Sequence, residues 1–223
     1  MSSVAIIGAH GKVAQQLMRA LYDRSDEFVG IVRSTDHAED IYRLGGEGVV
    51  LDIEAASPDM LARAIDGCDC VVFTAGAGAG SGVARKRTVD YGGSVKSADA
   101  AQQAGIRRFI QVSAWGVDGD VSSDADETWA AYVQAKRDAD AELRTRELDW
   151  TILRPGGLTN DPGTGLVRLG DAVPRGSISR EDVARLIVAA LDNPGSVGHT
   201  WEAVAGDTPI ADAVAALIAP GRN

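Results

Sequence analysis

Alternating strand and helix patterns along the 223 residues predict one doubly wound α/β domain with a mostly parallel sheet. Three observations carry this expectation. Short apolar runs rich in Val and Ile alternate with segments of helical period, and the first strand-to-helix turn reads G-x-x-G-x-x-A. The remaining conspicuous polar and small residues fall just after strands, where open sheets of this class bind ligands.

The first strand is Val4-Ala5-Ile6-Ile7, a continuous apolar run as expected of a strand covered on both faces. Gly8 ends it, and Val13, Leu17, Ala20 and Leu21 recur at helical spacing until about Arg24. Gly8 and Gly11 permit a tight turn and close approach of a ligand, while Ala14 lets the helix pack on the sheet. Unpaired N–H groups and the positive end of the helix dipole would face this turn, which suits a pyrophosphate. Glu27–Val32 reads as the second strand, and Arg33 follows it. An acidic residue there would hold a ribose 2′-hydroxyl, whereas an arginine accommodates a 2′-phosphate, so Arg33 favours NADP over NAD.

A helix from Thr35 to about Leu44 leads to a strand at Gly48–Leu51. Beyond it, Asp52 is placed to accept from an adenine amine and Ile53 to pack on the ring. Ser57 as N-cap and Pro58 at the first helical position open the next helix, which closes at Asp66-Gly67. Cys70–Thr74 is the fourth strand; Ala75, Gly76 and the small residues up to Gly80 let the backbone approach a cofactor. Val83–Ala104 is expected to be helical, weakened at Gly92-Gly93, with Arg85-Lys86-Arg87 on a solvated face. Phe109–Val112 is the fifth strand, left by Ser113, and the following helix carries Tyr132 and Lys136 on one face.

After a strand at Trp150–Leu153, the run from Gly156 to Gly176 reads as a loop or lid, with Val167-Arg168-Leu169 pairing with Ala172-Val173. Ser179 and Asp182 cap a helix through Leu191, Thr200–Val204 is a further strand, and Ile210–Ile218 is a closing helix. Trp115 and Trp129 flank the expected site.

A net charge of −10 argues against nucleic acid or an anionic membrane as partner, because both would repel the chain. No signal peptide or bilayer-spanning run is evident, which predicts a cytoplasmic protein. Cys68 and Cys70 are expected to pack toward opposite faces of the sheet and to form neither a disulfide nor a metal site. No metal ligands are proposed.

Gly8 and Gly11, Arg33, Ser113, and the Tyr132-x-x-x-Lys136 pair together resemble the short-chain dehydrogenase/reductase superfamily, and more closely its atypical, NmrA-like and epimerase/dehydratase-like members. The likeness extends over nearly the whole chain, including Thr151–Gly156 and Ser179–Ala184. It implies a dinucleotide-binding Rossmann domain over residues 1–223 with a small substrate-side portion from about residue 155. Cofactor-binding candidates are Gly8, His10, Gly11, Lys12 and Val13 of the turn, Arg33, Asp52, Ile53, Ala75, Gly76, Lys136 and Pro155. Two positions depart from the family pattern: Ala14 replaces a glycine, and Asp90 stands where reductases of the superfamily usually carry an asparagine that holds a proton-relay water.

The resemblance implies a catalytic set of Ser113, Tyr132 and Lys136. Tyr132 would protonate a carbonyl oxygen as hydride arrives, because a phenol keeps its proton near neutral pH until asked to donate it. Lys136 would favour phenolate and hold the nicotinamide ribose, and Ser113 would orient the carbonyl. The expected activity is an NADP-dependent oxidoreductase acting on a small carbonyl or similar acceptor. Two other readings stay open, a non-catalytic NADP-binding sensor that regulates a partner and a sugar-nucleotide epimerase-like enzyme. Oligomeric state is left open.

Overall fold

The computed structural model of the chain describes residues 2–78, 80–122 and 124–219. Its first half is β1 (Ser3–Ile7), α1 (Lys12–Asp23), β2 (Glu27–Val32), α2 (Thr35–Arg43), β3 (Glu47–Val50), α3 (Pro58–Ala64) and β4 (Cys70–Phe73). Then come α4 (Val83–Arg85), a π-helical turn (Lys86–Tyr91), α5 (Gly92–Gln103), β5 (Arg108–Val112), α6 (Glu127–Arg144) and β6 (Asp149–Pro155). The last part holds β7 (Gly157–Thr159), β8 (Leu166–Gly170), β9 (Ser177–Ser179), α7 (Arg180–Asp192), β10 (His199–Ala205), β11 (Thr208–Pro209) and α8 (Ile210–Ile218).

Among the described residues the main sheet has nine strands in the order β3-β2-β1-β4-β5-β6-β10-β8-β11. The seven from β3 to β10 are mutually parallel, and β8 and β11 add antiparallel edges. Strand order therefore reverses between β1 and β4, and the ends of those strands frame the crevice in which such sheets take ligands. Alternation along β1 explains the two cores. Val4 and Ile6 join Leu17, Met18, Leu21, Ile187 and Trp201 on one face, while Ala5 and Ile7 join Leu61, Ile65, Phe73, Phe109 and Leu143 on the other.

Three expectations are corrected. Val83–Ala104 is not one regular helix, because the wider π turn at Lys86–Tyr91 shifts the facing of its side chains and buries Lys86, Val89 and Asp90. Arg85-Lys86-Arg87 is therefore solvated only in part: Arg87 stays exposed, Arg85 is half-buried and pairs with Glu54 at 2.7 Å, and Lys86 is turned inward at 8% exposure. Thirdly, β8 pairs with β10 and β11 rather than with Ala172-Val173. The Val173 amide instead donates to Glu202 Oε2 at 3.0 Å, a buried carboxylate that also accepts from the Gly116 amide. Cys68 and Cys70 are free and do pack in opposite cores; Cys68 precedes β4, so strand alternation does not bind it to the side of Cys70.

Candidate functional site

The turn after β1 is built by Gly8, whose φ of +83° lies in the left-handed region and whose missing Cβ would stand 2.6 Å from Ala75 Cα. Only glycine lets the ends of β1 and β4 come this close. Gly11 differs: it is extended, at φ −64° and ψ 148°, and a Cβ there would approach only the Gly8 carbonyl oxygen, at 3.2 Å. Its backbone does not require glycine, so the space beside it is left open. Gly11 is also the N-cap of α1, with no side chain capping the helix and no acid in the first turn. The Gly11 amide itself donates to the Gly8 carbonyl at 2.9 Å, which leaves the first amides of α1 to an anionic ligand, and the open backbone fits a pyrophosphate.

A cleft of about 300 Å³ runs from this turn across the sheet ends, lined by Gly8, His10, Gly11, Arg33, Asp52, Ile53, Ala75 and Gly76. It is also lined by His37, Glu54, Arg85 and Val89. Asp52 is shaped by an Asx turn, its Oδ1 accepting from the Glu54 amide at 2.9 Å. Hydrogen bonds from Thr88 and then Arg85 hold the Glu54 carboxyl below its ordinary range. The His10 and His37 rings stack 3.5 Å apart at 10°.

Further along, α6 presents Tyr132, Lys136 and Asp140 at successive intervals of four residues. Lys136 is buried; its Nζ donates to the Val112 carbonyl at 3.1 Å and lies 3.6 Å from Asp90 Oδ1. Asp90 Oδ2 accepts from the Ala77 amide at 3.1 Å, which ties the small-residue loop after β4 to α6. Burial raises the Tyr132 phenol well above its ordinary value, and Asp90 and Asp140 add to the effect. Lys86 Nζ sits 5.3 Å from the centre of that ring and donates to the Gly78 carbonyl at 3.0 Å. Ser113 Oγ donates to Asp140 Oδ2 at 2.9 Å, and Gln111 and Arg154 donate to the same carboxylate.

A family model described as NAD(P)H-binding matches residues 8–194. The chain belongs to this NAD(P)H-binding family. Among relatives of the NAD(P)H-binding chain is the uncharacterised sugar epimerase YhfK of Bacillus subtilis, 39% identical, with 96% of this chain and 99% of that protein covered. A solved structure from Bacillus halodurans, provisionally named an NAD-dependent epimerase/dehydratase, superposes with a TM-score of 0.89 at 35% identity, covering 97% of this chain and all of its own. The oxidoreductase YlbE of Lactococcus lactis gives 0.86 at 26% identity, with 99% of each chain covered. The expected membership of the atypical, epimerase/dehydratase-like group holds. No helix among the described residues is long and apolar enough to cross a membrane.

Within this NAD(P)H-binding fold, eight of the predicted cofactor residues meet around the cleft: Gly8, His10, Gly11, Arg33, Asp52, Ile53, Ala75 and Gly76. Lys12 is exposed outside it, Val13 points into the core, and Pro155 is buried at the end of β6 with its carbonyl accepting from the Trp115 amide. Trp129 is largely exposed, tilted against Tyr132 at 5.5 Å, whereas Trp115 donates to the Val173 carbonyl. Sequence reasoning missed His37, Arg85, Lys86 and Asp140. Only Asp140 had a legible signal, as the third member of the Tyr132, Lys136, Asp140 stripe; the others depend on the π turn and on the docking of α2.

Proposed function

We propose that this chain is an NADP-dependent oxidoreductase that reduces a small carbonyl or similar acceptor. The observation that carries the reading is the convergence of the open Gly8/Gly11 turn and Arg33 in one cleft, with Tyr132 and Lys136 on the helix tied to its rim through Asp90. Arg33 is exposed at the end of β2 and would take the ribose 2′-phosphate, Asp52 and Ile53 the adenine, and the α1 amides, with Lys12 and Val13 at their start, the pyrophosphate. Ala75 and Gly76 leave room for the backbone to pass close, and Lys136 and Pro155 would border the nicotinamide ribose. Residues from about 155 onward would form the substrate side.

Bound NADPH supplies a hydride. Tyr132 would give its proton to the carbonyl oxygen, so that carbonyl, hydride and proton together make an alcohol. A phenol keeps its proton at neutral pH; burial, Asp90 and Asp140 raise Tyr132 further and make it a weaker acid than a free tyrosine. Ser113 would orient the carbonyl by turning its O–H from Asp140 toward it, since a hydroxyl rotates freely and keeps two lone pairs besides. The epimerase names among the relatives favour a second reading, in which the same tyrosine and lysine serve a transient oxidation of a sugar. Following NADPH absorbance with the intact protein against aldehydes, ketones, quinones and nucleotide sugars tests the proposal. Consumption above the protein-free rate with a carbonyl supports it, and none with any acceptor would favour a non-catalytic sensor.

A further inference from the structure

His10 is a cofactor candidate with no particular contact assigned to it, and its ring stacks on His37, both lining the cleft that holds Arg33. His10 comes from the glycine turn and His37 from the first turn of α2, which starts two residues after Arg33. We propose that the two imidazoles complete, with Arg33, the recognition site for the adenosine 2′-phosphate of NADP, and do so when the pair carries a proton. This deepens the NADP reading and rests on it.

Each ring is reachable from the cleft: His10 has 42% of its side chain exposed, and His37 is half-buried against it. Arg33 offers a permanently charged fork to the phosphate monoester, and an imidazolium beside it adds a second charge-assisted donor. The charged groups around the pair are mixed. Asp40 of α2 lies 3.6 Å from His10 Nε2, Arg43 of α2 stands beyond it and pairs with Asp40, and Arg33, Asp52, Glu54 and Arg85 line the cleft with the two rings. Asp40 offers His10 an acidic partner on the α2 side of its ring. Because histidine is the side chain that changes charge between about pH 5 and 8, the preference for NADP should grow on acidification.

The test is calorimetric titration of the intact protein with NADP+ and NAD+, which tolerate acid, at pH 6 and pH 8. The ratio of the NAD+ to the NADP+ dissociation constant should rise roughly tenfold from pH 8 to pH 6 in the parent. In the His10→Asn/His37→Gln variant it should stay level or fall, because the 2′-phosphate itself takes up a proton near pH 6 and weakens there. Arg33→Ala should lower the ratio at both pH values while leaving its rise. An identical pH course in parent and double variant, with NADP+ still preferred, would overturn the histidine proposal and leave the NADP reading standing. A ratio of one at both pH values in the parent overturns both. Each single histidine variant, checked for an unchanged melting temperature, should lose part of the rise.

Discussion

Lys136 and Asp90 face each other across 3.6 Å with side chains only 6% and 2% exposed, joining α6 to the π turn. Removing one partner leaves a buried charge unpaired. Asp90→Ala should therefore lower stability by about 3–5 kcal/mol. Asp90→Asn, which keeps an oxygen for the Ala77 amide, should cost less. Urea unfolding of the three proteins checks this; an alanine variant as stable as the parent would show that the pair is not held together as described.

Arg33→Ala should weaken NADPH binding by about 1–3 kcal/mol at neutral pH, the worth of a charge-assisted contact, and leave NADH binding nearly unchanged. Calorimetry with both cofactors measures it. Equal losses for the two would place the arginine away from the 2′-phosphate.

The two glycines of the turn should part company. Gly8→Ala forces a Cβ to 2.6 Å from Ala75 Cα at a left-handed φ and should destabilise the fold by about 1–3 kcal/mol. Gly11→Val meets only the Gly8 carbonyl oxygen, at 3.2 Å, and weakens the N-cap of α1, so it should fold with a modestly lowered melting temperature and lose the stabilisation that NADPH gives. Thermal shift with and without NADPH separates them. A folded Gly11→Val that NADPH still stabilises normally would move the pyrophosphate elsewhere.

Tyr132→Phe removes the phenol and little volume. Binding of NADPH should persist while turnover falls roughly 10²–10⁴-fold, the usual contribution of general acid catalysis. Stopped-flow absorbance on whichever acceptor the parent reduces gives the comparison. An unchanged rate would remove Tyr132 from the chemistry.

Cys70 is 4% exposed, and burial pushes its thiol up to about 12. The unfolded chain gives up that proton near pH 8.5, the folded chain near 12, so the folded form binds more protons in between and stability falls as pH rises. The fall attributable to this thiol approaches about 1.4 kcal/mol per pH unit within that window and is absent below it. Cys70→Ala should flatten the alkaline limb of a stability-pH curve by that amount, and an unaltered limb would assign the loss to other groups.

Much of the chain was legible in order. Glu27–Val32 and Ile210–Ile218 have the bounds their patterns predict, because a strand covered on both faces is mostly apolar, here from Phe28 onward, and a helix packed on one side must repeat near 3.6 residues. The turn at Gly8 and Gly11 and the Tyr132/Lys136 interval were equally local, and so was the Ser179 cap, which accepts from the Asp182 amide as expected. Tertiary structure alone decided which side chains meet. Ser113 bonds Asp140, Lys136 faces Asp90, and His10 stacks on His37, each pairing residues from elements that touch only after the sheet has assembled. The π turn decided most of all. A change in backbone hydrogen-bond spacing over Lys86–Tyr91 turned Lys86 of an apparently solvated basic run inward, and the three-dimensional docking of that turn on α6, rather than its amino-acid pattern, set Asp90 and Lys86 beside the proposed acid.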